Sequence, residues 1–252
     1  MVKNKEMPVV IRGQGRKFYD ILAENPGIAA VFCDAAPEGE LYLLFDDEGV
    51  SLCLDDMTLT ADFTKILRRI PKNRIGSELL VKAAKINGNK NPSAVDATAG
   101  LGEDAFLLAA AGFSVTMFER DPVIALLLAD ALRKARDTSE LKEAAGRMEL
   151  IPGDSIEHMN SDKIKADVVV LDPMFPERQK SALVKKKFQL LHLLECPCTD
   201  ENELLAAAMR CEPKKIVIKR PVKGPYLAGI TPSYSTGGKA VRYDVLLPCS
   251  IG

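Results

Sequence analysis

From residue 94 onward, short apolar runs alternate with longer stretches of helical periodicity. The predicted strands cover residues 94–97, 114–118, 148–151, 168–171, 215–218 and 243–247. Helices are predicted over residues 105–111 and 122–136, the second with Asp121 as its N-cap and Pro122 at its first position. Alternation of strand and helix is typical of a mainly parallel sheet that helices cover on both faces.

The N-terminal part of the chain has a different pattern. Residues 29–33, 41–45 and 50–54 are predicted strands joined by tight turns, which suggests a small antiparallel sheet. A helical stretch near residues 77–85 then leads into a turn-rich segment. We therefore expect a small N-terminal α+β domain over residues 1–72 and a larger α/β domain over residues 73–252.

The composition limits the classes of protein to be considered. The chain has 252 residues, is 47% apolar and 27% charged, and has a net charge of −1. These values are typical of a soluble globular protein and argue against a coat of positive charge. No apolar run reaches the length of a membrane span, and no signal-peptide core follows Met1, so a cytoplasmic location is expected. The six cysteines and two histidines show no metal-binding pattern, so no metal is expected.

A glycine-containing loop, residues 96–102, follows the first strand of the larger domain. Gly100 and Gly102 lack a Cβ, so the backbone there can adopt unusual angles and approach a ligand closely. The start of the next helix offers free N–H groups and a positive dipole end. Together with Asp96 and Thr98, these glycines predict a nucleotide-like ligand at the carboxyl edge of the sheet.

Acidic residues stand near this loop where such a ligand would be held. Glu119 ends the second strand, where an acid commonly accepts hydrogen bonds from two ribose hydroxyls. Asp154 follows the third strand and can accept a hydrogen bond from an adenine amino group. Glu103 and Asp104 either receive the amino-acid portion of a zwitterionic cofactor or simply stabilise the helix N-terminus.

The fourth strand runs directly into Asp172-Pro173-Met174-Phe175. This segment is close to the [Asp/Asn]-Pro-Pro-[aromatic] signature of methyltransferases that act on exocyclic or amide nitrogens. The lone pair of an aromatic amine is conjugated with its ring, so acceptors for both N–H groups help the nitrogen to become tetrahedral. Asp172 and the Pro173 carbonyl are the predicted acceptors, and Phe175 is the predicted stacking surface for an extruded base. A strand-terminal turn with a packed Phe175 is the structural alternative.

Basic residues cluster around this motif and near the fifth strand. The residues predicted to bind substrate phosphates are Lys180, Lys185, Lys186, Lys187, Lys219 and Arg220. Phosphate binding requires such cations, although a single lysine is usually only a solvated side chain. Their position beside Asp172 favours a polyanionic substrate.

These residues leave three functions open besides methyl transfer to a nitrogen of a polyanionic substrate. Gly100, Gly102 and Ala105 also satisfy a G-x-G-x-x-A pattern, so a dinucleotide-binding oxidoreductase is a competitor. A methyltransferase acting on DNA, protein or a small molecule would share the pocket without needing the lysines. A non-catalytic factor would bind ribosomal RNA without turning over a cofactor.

Five segments together resemble the bacterial ribosomal small-subunit methyltransferase J family. They are residues 95–102, 118–123, 171–176, 179–186 and 217–221. The resemblance extends over residues 74–247, and the first predicted domain matches poorly. It implies a Rossmann-like, seven-stranded class I methyltransferase domain whose sheet is mainly parallel and whose last strand is antiparallel.

The same resemblance implies the chemistry. The cofactor would be S-adenosylmethionine, the partner 16S rRNA or the small ribosomal subunit, and the product a guanine methylated on N2 near the RNA 3′ end. Transferred by position, the cofactor contacts fall on Glu103, Asp104, Glu119, Arg120, Asp154, Ser155 and Asp172. Glu103 occupies a position where that family carries arginine.

Overall fold

The chain forms two β-sheets that pack on the two sides of a buried helix. The computed structural model describes residues 5–14, 22, 27–161, 164–173, 190–191, 193–194 and 200–248. One sheet has five strands and the other has seven. Strands and helices are numbered below in chain order over these residues.

The five-stranded sheet contains the N-terminal part of the chain. Its strands are β1 (Lys5–Ile11), β2 (Ile28–Cys33), β3 (Tyr42–Asp46), β4 (Gly49–Leu54) and β5 (Met57–Leu59), in the order β2-β1-β3-β4-β5. The expectation of an antiparallel sheet is wrong for half of it, because β1 pairs in parallel with both β2 and β3. A parallel pair needs a connection of about a dozen residues or more. The sequence has 16 residues between the end of β1 and the start of β2.

The seven-stranded sheet has the architecture expected from the strand and helix alternation. Its strands are β6 (Ser93–Asp96), β7 (Ser114–Glu119), β8 (Met148–Pro152), β9 (Val168–Leu171), β10 (Lys215–Pro221), β11 (Tyr234–Gly237) and β12 (Val241–Leu246). The order is β11-β12-β10-β9-β6-β7-β8. The first five in sequence are parallel, whereas β12 is antiparallel to β10 and to β11. All four residues of β9 are buried, as expected for a central strand covered on both faces.

Helices cover both faces of this sheet. They are α1 (Lys72–Ile75), α2 (Leu79–Ala84), α3 (Glu103–Ala110), α4 (Pro122–Asp137), α5 (Lys142–Ala145), α6 (Ser155–Ser161) and α7 (Glu201–Arg210), with 3-10 turns at Phe63–Ile66 and Leu227–Gly229. The predicted start of α4 is confirmed, because Asp121 Oδ1 accepts from the backbone N–H groups of Val123 at 2.9 Å and Ile124 at 3.2 Å. No helix in the described ranges is long and apolar enough to cross a membrane.

The two sheets share one hydrophobic core through α4 and its neighbours. The Val50 N–H donates to Oδ2 of the buried Asp130 of α4 at 3.0 Å. Phe63 stacks on Phe106 of α3 with ring centroids 4.5 Å apart. Phe63 also lies beside the glycine loop, because a Cβ on Gly102 would be 3.2 Å from Phe63 Cζ. The division of the chain at residue 72 stays a prediction.

Candidate active site

The carboxyl ends of five parallel strands bring the predicted site residues to one edge of the sheet. Asp96 ends β6 and lies opposite Val170 of β9, so Asp172, two residues further along β9, stands just beyond it. Leu171 of β9 lies opposite Ile218 of β10, which places Asp172 level with Lys219. Residues far apart in sequence therefore meet at one site at this edge, called the pocket below, as the parallel topology requires.

The glycine loop is held between β7 and β9 by its backbone. The Ala97 N–H donates to the Val170 carbonyl at 3.0 Å, and the Ala99 N–H donates to the Phe118 carbonyl at 3.0 Å. Gly102 is the N-cap of α3 and has a φ of 77°. A Cβ on Gly102 would lie 2.6 Å from Leu128 Cδ1, so the residue must be glycine both for its backbone angle and for space.

Gly100 and Glu119 join the loop to the end of β7. Gly100 has a φ of 54°, and its N–H donates to Glu119 Oε2 at 2.8 Å. Glu119 Oε1 accepts from the Asp121 N–H at 2.8 Å. Burial raises the pKa of Glu119, whereas these two hydrogen bonds oppose the rise. Each carboxylate oxygen keeps one acceptor position, which suits the two hydroxyls of a ribose.

Three carboxylates and one lysine lie at the centre of the pocket. Lys219 Nζ is 2.7 Å from Asp104 Oδ2 and 2.9 Å from Asp172 Oδ2. Burial, reinforced by the negative charge of Asp104, raises the pKa of Asp96 to about 7. Partial burial also raises the pKa of Asp172, and the charge of Lys219 opposes that rise. The cluster therefore has an excess of acidic groups over cations.

Tyr243 is a site residue that the sequence patterns missed. It lies on β12 directly opposite Lys219 and is 5% exposed. Burial and the neighbouring Asp104 raise the pKa of its hydroxyl above the ordinary value, so Tyr243 stays neutral at physiological pH. The antiparallel register that brings it to Lys219 is a tertiary feature without a local sequence signal.

The backbone of the predicted chemical motif is held by the glycine loop. The Asp172 N–H donates to Thr98 Oγ1 at 2.7 Å, which explains why a hydroxyl side chain stands at position 98. Pro173 is buried, so the chain direction immediately after β9 is defined by packing as well as by this hydrogen bond. Phe175, the third predicted residue of the motif, lies outside the described residues.

Asp154 and Arg120 lie at the ends of β8 and β7. The Gly153 N–H donates to the Glu119 carbonyl at 2.8 Å, which brings the next residue beside Glu119. Asp154 Oδ1 caps α6 by accepting from the Ile156 N–H at 2.8 Å, and Asp154 Oδ2 is 3.8 Å from Arg120 Nη1. Ser155 is buried at the first position of α6. Asp154 is thus a helix cap at the same edge of the sheet as Glu119.

The structure corrects the placement of two predicted RNA-binding residues. The side chain of Arg220 has no exposed surface and pairs with Glu201 at 2.8 Å, so it is not part of a cationic face. Lys219 points into the acidic cluster, where it bridges Asp104 and Asp172. Lys219 and Arg220 are successive residues of β10, so their side chains point to opposite faces of the sheet, and helices cover both faces. The other four predicted RNA-binding residues, Lys180, Lys185, Lys186 and Lys187, lie outside the described residues.

Comparisons with known proteins show the family of this chain. Residues 30–248 match the family described as "Putative SAM-dependent methyltransferase". A Neisseria gonorrhoeae protein named ribosomal RNA small subunit methyltransferase J is 42% identical over 217 residues, which cover 84% of this chain and 86% of that protein. The chain belongs to the ribosomal RNA small subunit methyltransferase J family. The predicted resemblance is confirmed, and the oxidoreductase alternative is set aside.

Two further relatives support this membership. A Neisseria meningitidis serogroup C protein of the same name is 41% identical over 244 residues, covering 91% of this chain and 97% of its own length. A crystal structure of a SAM-dependent methyltransferase from Neisseria gonorrhoeae superposes with a TM-score of 0.76 at 35% identity, covering 96% of both chains. The predicted class I methyltransferase fold is therefore confirmed.

The cofactor of this family is S-adenosylmethionine, and the residues of the pocket fit it. The molecule carries two positive groups, a sulfonium and an ammonium, and one carboxylate. Asp96, Asp104 and Asp172 supply more negative charge than Lys219 neutralises, which suits a ligand with a net positive charge. A Cβ on Gly100 would meet no atom of the described residues within 4 Å, so none of these residues fills the space in front of the loop.

Proposed function

We propose that this protein transfers a methyl group from S-adenosylmethionine to the exocyclic N2 of a guanine in small-subunit ribosomal RNA. The names of the relatives support the RNA substrate. The observation that carries the choice of a nitrogen nucleophile is the position of Asp172 and Pro173. Both follow a buried strand directly and stand beside the glycine loop and the acidic cluster.

The cofactor supplies an electrophilic methyl group, and residues of the chain orient the amine that receives it. Asp172 and the carbonyl of Pro173 would accept hydrogen bonds from the two N–H groups of the guanine amine. Among the described residues Lys219 contacts Oδ2 of Asp172, which leaves Oδ1 for this role. Two such acceptors direct the nitrogen lone pair out of the ring plane and toward the methyl group.

Lys219 acts through Asp172 and is therefore a positioning residue. Its ammonium group holds one carboxylate oxygen and favours the ionised form of a side chain whose pKa burial would otherwise raise further. The ionised form is the better acceptor. When the N–CH₃ bond forms, the amine nitrogen becomes positively charged and its proton becomes acidic, so the Asp172 carboxylate is a sufficient base to accept it.

Glu119, Asp154 and the backbone around Gly100 would bind the nucleoside part of the cofactor. Glu119 is held by two backbone N–H groups, so its orientation is set before any ligand arrives. Asp154 is fixed in the same way as the cap of α6. Such preorganisation reduces the entropy lost on binding.

The decisive experiment is methyl transfer from labelled S-adenosylmethionine to small ribosomal subunits that lack the modification. The RNA is then digested to nucleosides, and the label is located by chromatography. Label in N2-methylguanosine supports the proposal. Label in another nucleoside or in protein, or no label despite cofactor binding, would refute the guanine assignment.

A pair of variants tests the role of Asp172. Asp172→Ala should abolish transfer while the folded structure is retained. Asp167→Asn is the matched control, because Asp167 stands at the opposite end of β9 and also pairs with a lysine, Lys214, at 2.7 Å. The control is expected to lose stability but to keep kcat. Full activity of Asp172→Ala would remove this residue from the mechanism.

A further inference from the structure

A loop with an unusual set of exposed side chains stands above the carboxyl edge of the sheet. It consists of residues 222–230, follows β10 directly, and is called the β10 loop below. Pro221 is two residues beyond Lys219 along the strand, or about 7 Å. Val222 is 42% exposed and Tyr226 is 41% exposed. The loop thus presents apolar and aromatic surface close to the reaction centre.

Arg242 holds the first half of the β10 loop. Its Nη1 donates to the carbonyls of Pro221 at 2.9 Å, Val222 at 2.7 Å and Gly224 at 2.9 Å. Its Nε donates to the buried carboxylate of Asp244 at 2.9 Å. Because three backbone carbonyls accept hydrogen bonds from this one guanidinium group, the loop backbone has little conformational freedom.

The second half of the loop is held by α7. The Ala228 N–H donates to Glu201 Oε2 at 2.8 Å, and Glu201 Oε1 pairs with the buried Arg220. Ala228 has a φ of 50°, a left-handed conformation that is unfavourable for a residue with a Cβ. A strained residue kept in place by a specific acceptor marks a segment whose shape matters.

The ring of Tyr226 rests on this support. The guanidinium carbon of Arg242 lies 5.1 Å from the ring centroid, so one face of the ring is in contact with a cation. The remaining exposed surface of the ring faces solvent. Lys223 in the loop and Lys239 before β12 are also exposed, and neither forms an ion pair with any residue among those described.

We propose that the β10 loop is an RNA-binding surface on which Tyr226 stacks an unpaired base of the substrate RNA, with Lys223 and Lys239 contacting its phosphates. The inference rests on the proposed function and adds a contact beyond the target nucleotide. Aromatic rings and neighbouring cations are the usual means of binding single-stranded RNA. A ring already fixed by Arg242 loses little further freedom on binding.

The chain contains a matched control for Tyr226. Tyr234 on β11 is 40% exposed, and its ring also lies near a cation, Lys215 Nζ, 5.7 Å from the centroid. However, Tyr234 on β11 lies opposite Val245 of β12, and Val245 lies opposite Val217 in the middle of β10. Lys215 is the first residue of β10 and therefore lies at the edge of the sheet away from the carboxyl ends of the parallel strands. The two tyrosines share exposure and a cationic neighbour, but Tyr226 lies in the loop after β10 whereas Tyr234 lies within the sheet on β11.

The test compares Tyr226→Ala, Tyr226→Phe and Tyr234→Ala for binding to naked small-subunit RNA and to unmodified subunits. Tyr226→Ala should weaken binding of RNA about 5- to 150-fold. Tyr226→Phe keeps the ring and should bind within about two-fold of wild type. Tyr234→Ala should bind like wild type. Affinity for S-adenosylmethionine, measured by calorimetry, should be unchanged in all three variants.

Each other outcome overturns the inference. Equal losses for both alanine variants would indicate a general effect on the fold, and no loss for Tyr226→Ala would remove the stacking contact. If Tyr226→Ala weakens binding to subunits and ultraviolet crosslinking joins Tyr226 to a ribosomal protein, the loop is a protein-binding surface. Because binding is measured without turnover, failure of the guanine N2 assignment is detected separately, in the methyl-transfer assay.

Discussion

Replacing Lys219 by methionine tests whether a single cation maintains the acidic cluster. The substitution keeps an unbranched side chain and removes the charge that lies 2.7 Å from Asp104 and 2.9 Å from Asp172. The side chains of Lys219 and Asp104 are 26% and 17% exposed, so that pair is largely shielded from water. The side chain of Asp172 is 41% exposed, so water screens its pair more strongly.

These exposures set the expected loss of folding stability in Lys219→Met. Removing one member of a buried ion pair costs about 3–5 kcal/mol, and partial exposure reduces this to about 2 kcal/mol for the Asp104 pair. The screened Asp172 pair adds less than about 1 kcal/mol. We therefore expect Lys219→Met to lower the free energy of unfolding by about 2–3 kcal/mol at neutral pH. Urea unfolding followed by circular dichroism measures this loss.

A double-mutant cycle separates charge from packing. In the Lys219→Met background, Asp172 has no compensating cation, so adding Asp172→Asn should restore part of the lost stability. In the wild-type background the same Asp172→Asn change should be neutral or destabilising. Lys219→Arg, which keeps the charge, is expected to retain most of the stability. Additive effects in the cycle, or a loss below about 0.5 kcal/mol for Lys219→Met, would refute the reasoning.

Three further predictions concern the pocket and the substrate. Burial raises the folded-state pKa of Asp96 from 3.8 to about 7, so ionisation of Asp96 destabilises the folded state as pH rises through this window. The stability of Asp96→Asn relative to wild type should therefore increase by up to about 4 kcal/mol between pH 4 and 8, as measured by urea unfolding. A difference that does not grow with pH would contradict the raised pKa. Gly102→Ala should cost more stability than Gly100→Ala, because only the former places a Cβ 2.6 Å from Leu128 Cδ1; equal losses in thermal unfolding would show that backbone strain alone matters. Neutralising residues 185–187 together should reduce the slope of log K against log salt for RNA by up to about 0.7 per lysine, and an unchanged slope would mean that these lysines do not contact phosphate.

The strands and helices of the larger domain were predictable because their patterns are local. The all-apolar β9 predicted a strand buried on both faces, and Asp121 with Pro122 predicted the start of α4; both are confirmed. The strand β11 was not predicted, because its exposed residues, Tyr234–Gly237, have no apolar pattern. The segment forms a strand because it pairs with β12, not because of a local sequence pattern.

The candidate site was predictable to the extent that each residue follows a strand. Asp96, Glu119, Asp154 and Asp172 could be placed at one edge from their spacing, because parallel strands end at the same edge. The partners of Lys219 could not be inferred in this way. In sequence it stands beside Arg220 as one more basic residue, whereas in the fold it bridges Asp104 and Asp172.

The sequence by itself determined the class of the larger domain and the location of the glycine loop, and it predicted the chemical motif. These depend on hydrophobic period, on residues without a Cβ and on a short contiguous signature, all of which act over a few residues. Tertiary structure decided the parallel pairing of β1, the approach of Tyr243 to Lys219 and the enclosure of Arg242 by the β10 loop. Such contacts join residues from separate elements, and strand register rather than local preference brings them together.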